Sequence, residues 1–168
     1  MDLLQKSAVE HLTTFRQMEA QDFGSVATIV TTDFEALYAY KRGDYQRCLL
    51  LSTQNVHTLL YADRMPYVPT FPEFVQLLDD DIVSLTALTL IADPACIRTS
   101  SCFVCISQLT LSLYLMTQCQ LMLRHSVMSL AHTLHSIKVA RGRHPVFHVL
   151  DRLTLKFIAR KALLRTRQ

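Results

Sequence analysis

The stretch from Asp33 to Leu60, DFEALYAYKRGDYQRCLLLSTQNVHTLL, constrains the fold more than any other part of the chain. Before Gly43, the apolar residues Phe34, Leu37, Tyr38 and Tyr40 recur at helical spacing; after it, Tyr45, Leu49, Leu51, Val56 and Leu59 do the same. Lys41 and Arg42 put positive charge where a helix C-terminus favours it. Gly43 can take a left-handed turn, and Asp44 can cap the helix that follows. These residues predict a helix hairpin, and with it an all-α fold.

Composition points the same way. Half of the 168 residues are apolar and 18% are charged, enough to bury a core and too hydrophobic for disorder. Three glycines and five prolines are too few for the many tight turns of an all-β protein. The length suits a single all-helical domain over residues 1–168. Turn signals divide it into about seven helices, near 2–20, 25–41, 44–61, 73–91, 101–123, 127–141 and 146–165. Short links favour antiparallel neighbours, so the expected architecture is a stack of antiparallel helix hairpins, regular or irregular. The exception is Ala62 to Pro72, ADRMPYVPTFP, where three prolines exclude a continuous helix and favour an extended strap. Tyr67 and Phe71 either pin that strap to the core or form an aromatic docking edge for a partner.

Ser100 to Leu123 carries no charge over 24 residues. A membrane span is one reading. Gln108, Gln118 and Gln120, the Ser and Thr residues among them, and the lack of an aromatic belt favour the other: a central bundle helix that pairs its polar groups inside the protein. The N-terminus, MDLLQKSAVEHLTTF, lacks a basic run followed by an apolar block, so no secretory signal is expected and the expected location is cytoplasmic. The five cysteines, Cys48, Cys96, Cys102, Cys105 and Cys119, are then read as reduced and mostly buried.

YKRGDYQRCLLL has a glycine, a tyrosine two residues on and a small residue three further, carried by Gly43, Tyr45 and Cys48. In this the segment over residues 33–66 resembles one unit of a tetratricopeptide repeat. The resemblance implies a tight glycine turn, a tyrosine packed between the helices and a small residue permitting close approach, in a protein that binds partners. It covers one unit. Glu35, Ala39 and Leu60 depart from the family's usual leucine, aromatic and closing proline, and only Arg141-Gly142 echoes the turn further along.

Several constellations could carry chemistry. Arg42-Gly43-Asp44 spells an adhesion tripeptide, but each residue already has a helix-end role. Cys102 and Cys105, met by His132 and His135, have the residue types of a zinc site. The apolar setting of the cysteines favours buried thiols instead, so no metal is expected. Arg143 and His148 resemble the R-x4-H signature of the HEPN family of helical domains, some of which cleave RNA. That resemblance makes Arg143 a phosphate holder and His148 a proton carrier. No glycine-rich phosphate loop, nucleophile elbow or HExxH pattern accompanies them, so no cofactor is expected and a non-enzymatic role is favoured.

Charge is concentrated at the end of the chain. From Lys138 onward nine Lys or Arg face one acid, Asp151, for a charge of +8, leaving −5 on the rest of a chain whose total is +3. Within the last helix Arg152, Lys156 and Arg160 form an i, i+4 stripe, opposite an expected apolar face of Val149, Leu150, Leu153, Phe157 and Leu164. The stripe is a solvated face answered by Asp79-Asp80-Asp81, or a surface for an acidic protein, a membrane or phosphates. The sequence therefore predicts a protein-interaction module with contacts at Tyr67, Phe71, Arg152, Lys156 and Arg160. The alternative is an RNA-associated helical domain, with Arg143 and His148 as its catalytic pair.

Overall fold

The computed structural model describes residues 26–61, 69–70, 80–92, 106–143 and 149–166. Among them lie six helices: α1 (Val26–Lys41), α2 (Tyr45–Tyr61), α3 (Asp80–Ala92), α4 (Gln108–Met122), α5 (Val127–Arg143) and α6 (Val149–Thr166). Two short extended segments, β1 (Pro69–Thr70) and β2 (Ile106–Ser107), pair antiparallel. The fold is all-helical, with six helices among the described residues where seven were expected. The expected first helix, 2–20, lies outside the described residues.

The α1–α2 hairpin forms as its sequence dictates. Gly43 takes φ +79°. Its N–H donates to the Tyr40 carbonyl at 3.0 Å, and the Asp44 N–H to that of Ala39 at 2.9 Å. Asp44 Oδ1 then accepts from the Arg47 N–H at 3.1 Å, capping α2. Leu37, Leu51, Val56 and Leu59 are buried between the helices and the rest of the protein. Tyr45 packs edge-on against Tyr40, ring centroids 5.7 Å apart.

Two boundaries differ from the sequence expectation. The helix expected from residue 101 starts at Gln108, because Ile106 and Ser107 are extended and paired with Thr70 and Pro69. Ser107 caps α4, its hydroxyl accepting from the Thr110 N–H at 3.2 Å. The proline strap is thus extended at Pro69–Thr70, as expected, and held by backbone pairing. At the other end of the chain, α5 runs through Gly142 to Arg143 instead of ending before the glycine. One glycine costs a helix only about 1 kcal/mol and does not stop it alone. The break at Arg124-His125-Ser126 is where the sequence placed it, with Arg124 at φ 53° and the Ser126 hydroxyl accepting from the Ser129 N–H.

α4 is the axis of the molecule. It packs against α1, α2, α5 and α6, and every residue from Ile106 to Gln120 is buried. Leu113, Tyr114 and Leu115, all fully buried, share one core with Ile29, Leu60, Ile82, Ile137, Leu155 and Ile158. This matches the expectation of a central helix covered on most sides. No described helix is long and apolar enough to cross a membrane.

Burying a helix this polar requires that its hydroxyls and amides find partners. The Thr117 hydroxyl donates back to the Leu113 carbonyl at 2.7 Å. Gln120 accepts from the Thr133 hydroxyl at 2.7 Å and donates to Ser129 Oγ at 3.2 Å, tying α4 to α5. Ser112 donates to Asp33 Oδ1 on α1. Asp151, in the first turn of α6, accepts from both the Ser107 N–H at 2.8 Å and the Ser107 hydroxyl at 2.9 Å.

Candidate functional site

Two places collect polar groups at the surface of the described residues. The first is a recess of about 350 Å³ at the turn of the α1–α2 hairpin, lined by Glu35, Tyr38, Ala39, Arg42, Asp44 and Arg47. Arg42 lies over the Tyr38 ring, 5.6 Å from its centroid, and donates to the Tyr38 hydroxyl at 3.0 Å. With two guanidiniums and two carboxylates around it, the recess has no net charge to select a ligand. Its Arg42-Gly43-Asp44 tripeptide performs the helix-end roles the sequence assigned.

The second is the outer face of α6. Its N-terminus is fixed by the Asp151–Ser107 bonds, and its inner face buries Leu150, Asp151, Thr154, Leu155, Ile158 and Ala162. The expected apolar face is corrected in part. Leu150 is buried, and Leu153 and Phe157 are half-buried, but Val149 and Leu164 are exposed. The buried carboxylate of Asp151 and the buried Thr154 were not legible as inward-facing because both are polar. Arg152, Lys156 and Arg160 stand on the solvent side, one helical turn apart. Among the described residues, none of the three has an ion-pair partner.

The acidic run anticipated as their answer meets a different cation. Asp81 Oδ2 accepts from Lys161 Nζ at 2.5 Å, joining α3 to α6, and the same ammonium lies 4.6 Å from the centre of the Phe157 ring. Among the described residues, Asp81 therefore neutralises Lys161 and not the stripe. The neighbouring α5, which packs on α6, carries His132, His135, Lys138 and Arg141 on exposed positions three residues apart. His132 and His135 thus face solvent, and no group of metal-ligating residues occurs among the described residues. Cys102 and Cys105 lie outside the described residues, as do Tyr67, Phe71 and His148; Arg143 is the last residue of α5.

One strongly perturbed titrating group is a buried carboxyl on α1. Asp33, at 1% exposure, has its pKa raised from 3.8 to about 7 by burial, opposed by the hydrogen bond from Ser112 and by the nearby Asn55 amide. Among the described residues, its Oδ2 has no hydrogen-bond partner. Cys48 and Cys119 are free and fully buried, and the Cys119 thiol is pushed up by the neighbouring Cys48 thiol and by burial, which makes it a poor nucleophile. Asp33 escaped the sequence reading because a lone carboxylate in the middle of an amphipathic helix looks like an ordinary solvated acid.

The chain matches no protein-family model, no curated protein and no solved structure.

Proposed function

We propose that this protein is a non-enzymatic interaction module of packed helix hairpins, holding an acidic protein segment against the outer face of α6. The observation that carries the reading is the stripe of Arg152, Lys156 and Arg160, exposed and unpaired among the described residues while the adjacent Lys161 is neutralised by Asp81. Solvated cations at one-turn intervals complement an acidic chain and steer its approach. The α1–α2 hairpin, with Gly43 turning, Tyr45 against Tyr40 and Cys48 fully buried, supports a tetratricopeptide-like reading of this part of the scaffold.

The test is direct binding of a labelled polyglutamate peptide to the full chain and to an Arg152→Glu/Lys156→Glu/Arg160→Glu variant. Binding that weakens with salt and disappears in the variant supports the proposal. Equal binding by both proteins, or none by either, rejects it.

The RNA-associated reading draws on the same stripe, and the exposed Lys138 and Arg141 on the neighbouring α5 favour it by adding further solvated cations. It requires tighter binding to single-stranded RNA than to the acidic peptide, with affinity falling steeply as salt rises. Its ribonuclease form rests on Arg143 and His148, and would appear as RNA cleavage lost in an Arg143→Ala/His148→Ala variant.

A further inference from the structure

The basic stripe of α6 is followed by two exposed leucines before the helix closes on Arg165 and Thr166. One turn beyond Arg160, on the same side of the helix, come Leu163 at 46% and Leu164 at 57% exposure. From Arg152 to Leu164 is twelve residues, or about 18 Å of helix axis, with three cations of the stripe followed by two exposed leucines. The Asp151–Ser107 bonds hold the first turn of α6 at the start of α4, and α6 packs on both α4 and α5.

Taking the proposed acidic-segment reading as its basis, we infer that the partner segment is bipartite: a run of carboxylates followed, about one helical turn further along, by a large apolar anchor seated on Leu163 and Leu164. Charge complementarity fixes the first half. The second follows from the leucines lying in line with the cations, so that a chain tracking the stripe reaches them without changing direction. A nucleic acid would satisfy the cations and leave the leucines in water. A bilayer would need the apolar groups at a different depth from the charges, whereas here both lie along one helix side. The anchor excludes water from apolar area that the cations alone cannot cover, and so adds affinity that salt does not screen.

The experiment titrates full-length protein with two labelled peptides, one acidic with a terminal Leu-Leu pair and one with that pair replaced by serines. Single-stranded RNA and phosphatidylserine-rich vesicles serve as competitors. The expected result is binding of the leucine peptide about tenfold tighter than the serine peptide. A Leu163→Ser/Leu164→Ser variant should erase that advantage while binding the serine peptide normally. Both substituted side chains are exposed, and an unchanged circular dichroism spectrum confirms that the variant is folded. Equal affinity for the two peptides overturns the anchor and leaves the acidic-segment reading intact. Failure of both peptides overturns both. Preferential binding to RNA or vesicles overturns the bipartite partner in favour of that ligand.

Discussion

The hydroxyl of Ser112 donates to Oδ1 of Asp33 across 2.5 Å, joining α4 to α1 at a point where neither residue reaches solvent. Among the described residues, the carboxylate has one partnered and one orphaned oxygen. Its ionisation inside the protein therefore opposes folding.

Stability should carry that signature. The folded protein binds the Asp33 proton more tightly than the unfolded chain, since burial raises the pKa from 3.8 to about 7. The penalty is absent below about pH 4, grows as pH rises toward 7 and is complete above it, reaching the order of a few kcal/mol. Asp33→Asn keeps an acceptor for Ser112 and removes the charge. Its urea-unfolding free energy should exceed that of the parent at pH 8 and converge with it near pH 4. A constant difference across that range would show that folding leaves the Asp33 pKa unchanged.

Asp151 should behave in the opposite sense on removal. It accepts two hydrogen bonds from Ser107, and Asp151→Ala would leave the buried N–H and hydroxyl of Ser107 without that acceptor. A loss of about 2–4 kcal/mol is expected, with the Ser107→Ala/Asp151→Ala double mutant less destabilised than the sum of the singles. Strict additivity would mean the two residues do not cooperate.

The two described glycines should respond to alanine with opposite signs. Space is open around both. Gly43 sits at positive φ, so Gly43→Ala should cost about 1 kcal/mol through backbone strain alone. Gly142 lies inside α5, and Gly142→Ala should stabilise by about 0.5–1 kcal/mol through helix propensity. Thermal unfolding of the two variants reads both effects.

Cys48 and Cys119 should resist alkylation in the native state. Both are fully buried, and the Cys119 thiol is held protonated by Cys48 and by burial. Mass spectrometry after iodoacetamide treatment should find both unmodified until denaturant is added. Rapid native modification of either would place it nearer to solvent than its packing allows.

The elements that turn chemistry announces were legible from residue types alone: Gly43 with Asp44, and Ser126 after α4. The burial of α4 was readable from its uncharged length and its amides, of which Gln120 pairs across to Thr133 as anticipated, whereas Gln108 Oε1 and Gln118 Nε2 are buried without a partner among the described residues. The start of α4 was not, because Ile106 and Ser107 owe their extended shape to a partner strand far away in sequence. The stripe on α6 was visible in spacing, yet its freedom depended on which cation Asp81 would choose, and that is settled by packing between α3 and α6. The inward orientation of Asp33 and Asp151 left no sequence signal, since both look like surface acids until their hydroxyl partners are brought to them.

α4 is surrounded by greasy neighbours on all sides, so hydrocarbon packing alone distinguishes poorly between one rotation of this helix and the next. Its polar side chains break that degeneracy. Turning α4 about its axis would strip Asp33, Asp151 and Gln120 of their partners together. An α4 rebuilt from leucine and isoleucine would bind its neighbours at least as strongly and point in several directions at once. The buried hydroxyls work as teeth on a key, giving up some holding power so that the lock accepts a single orientation.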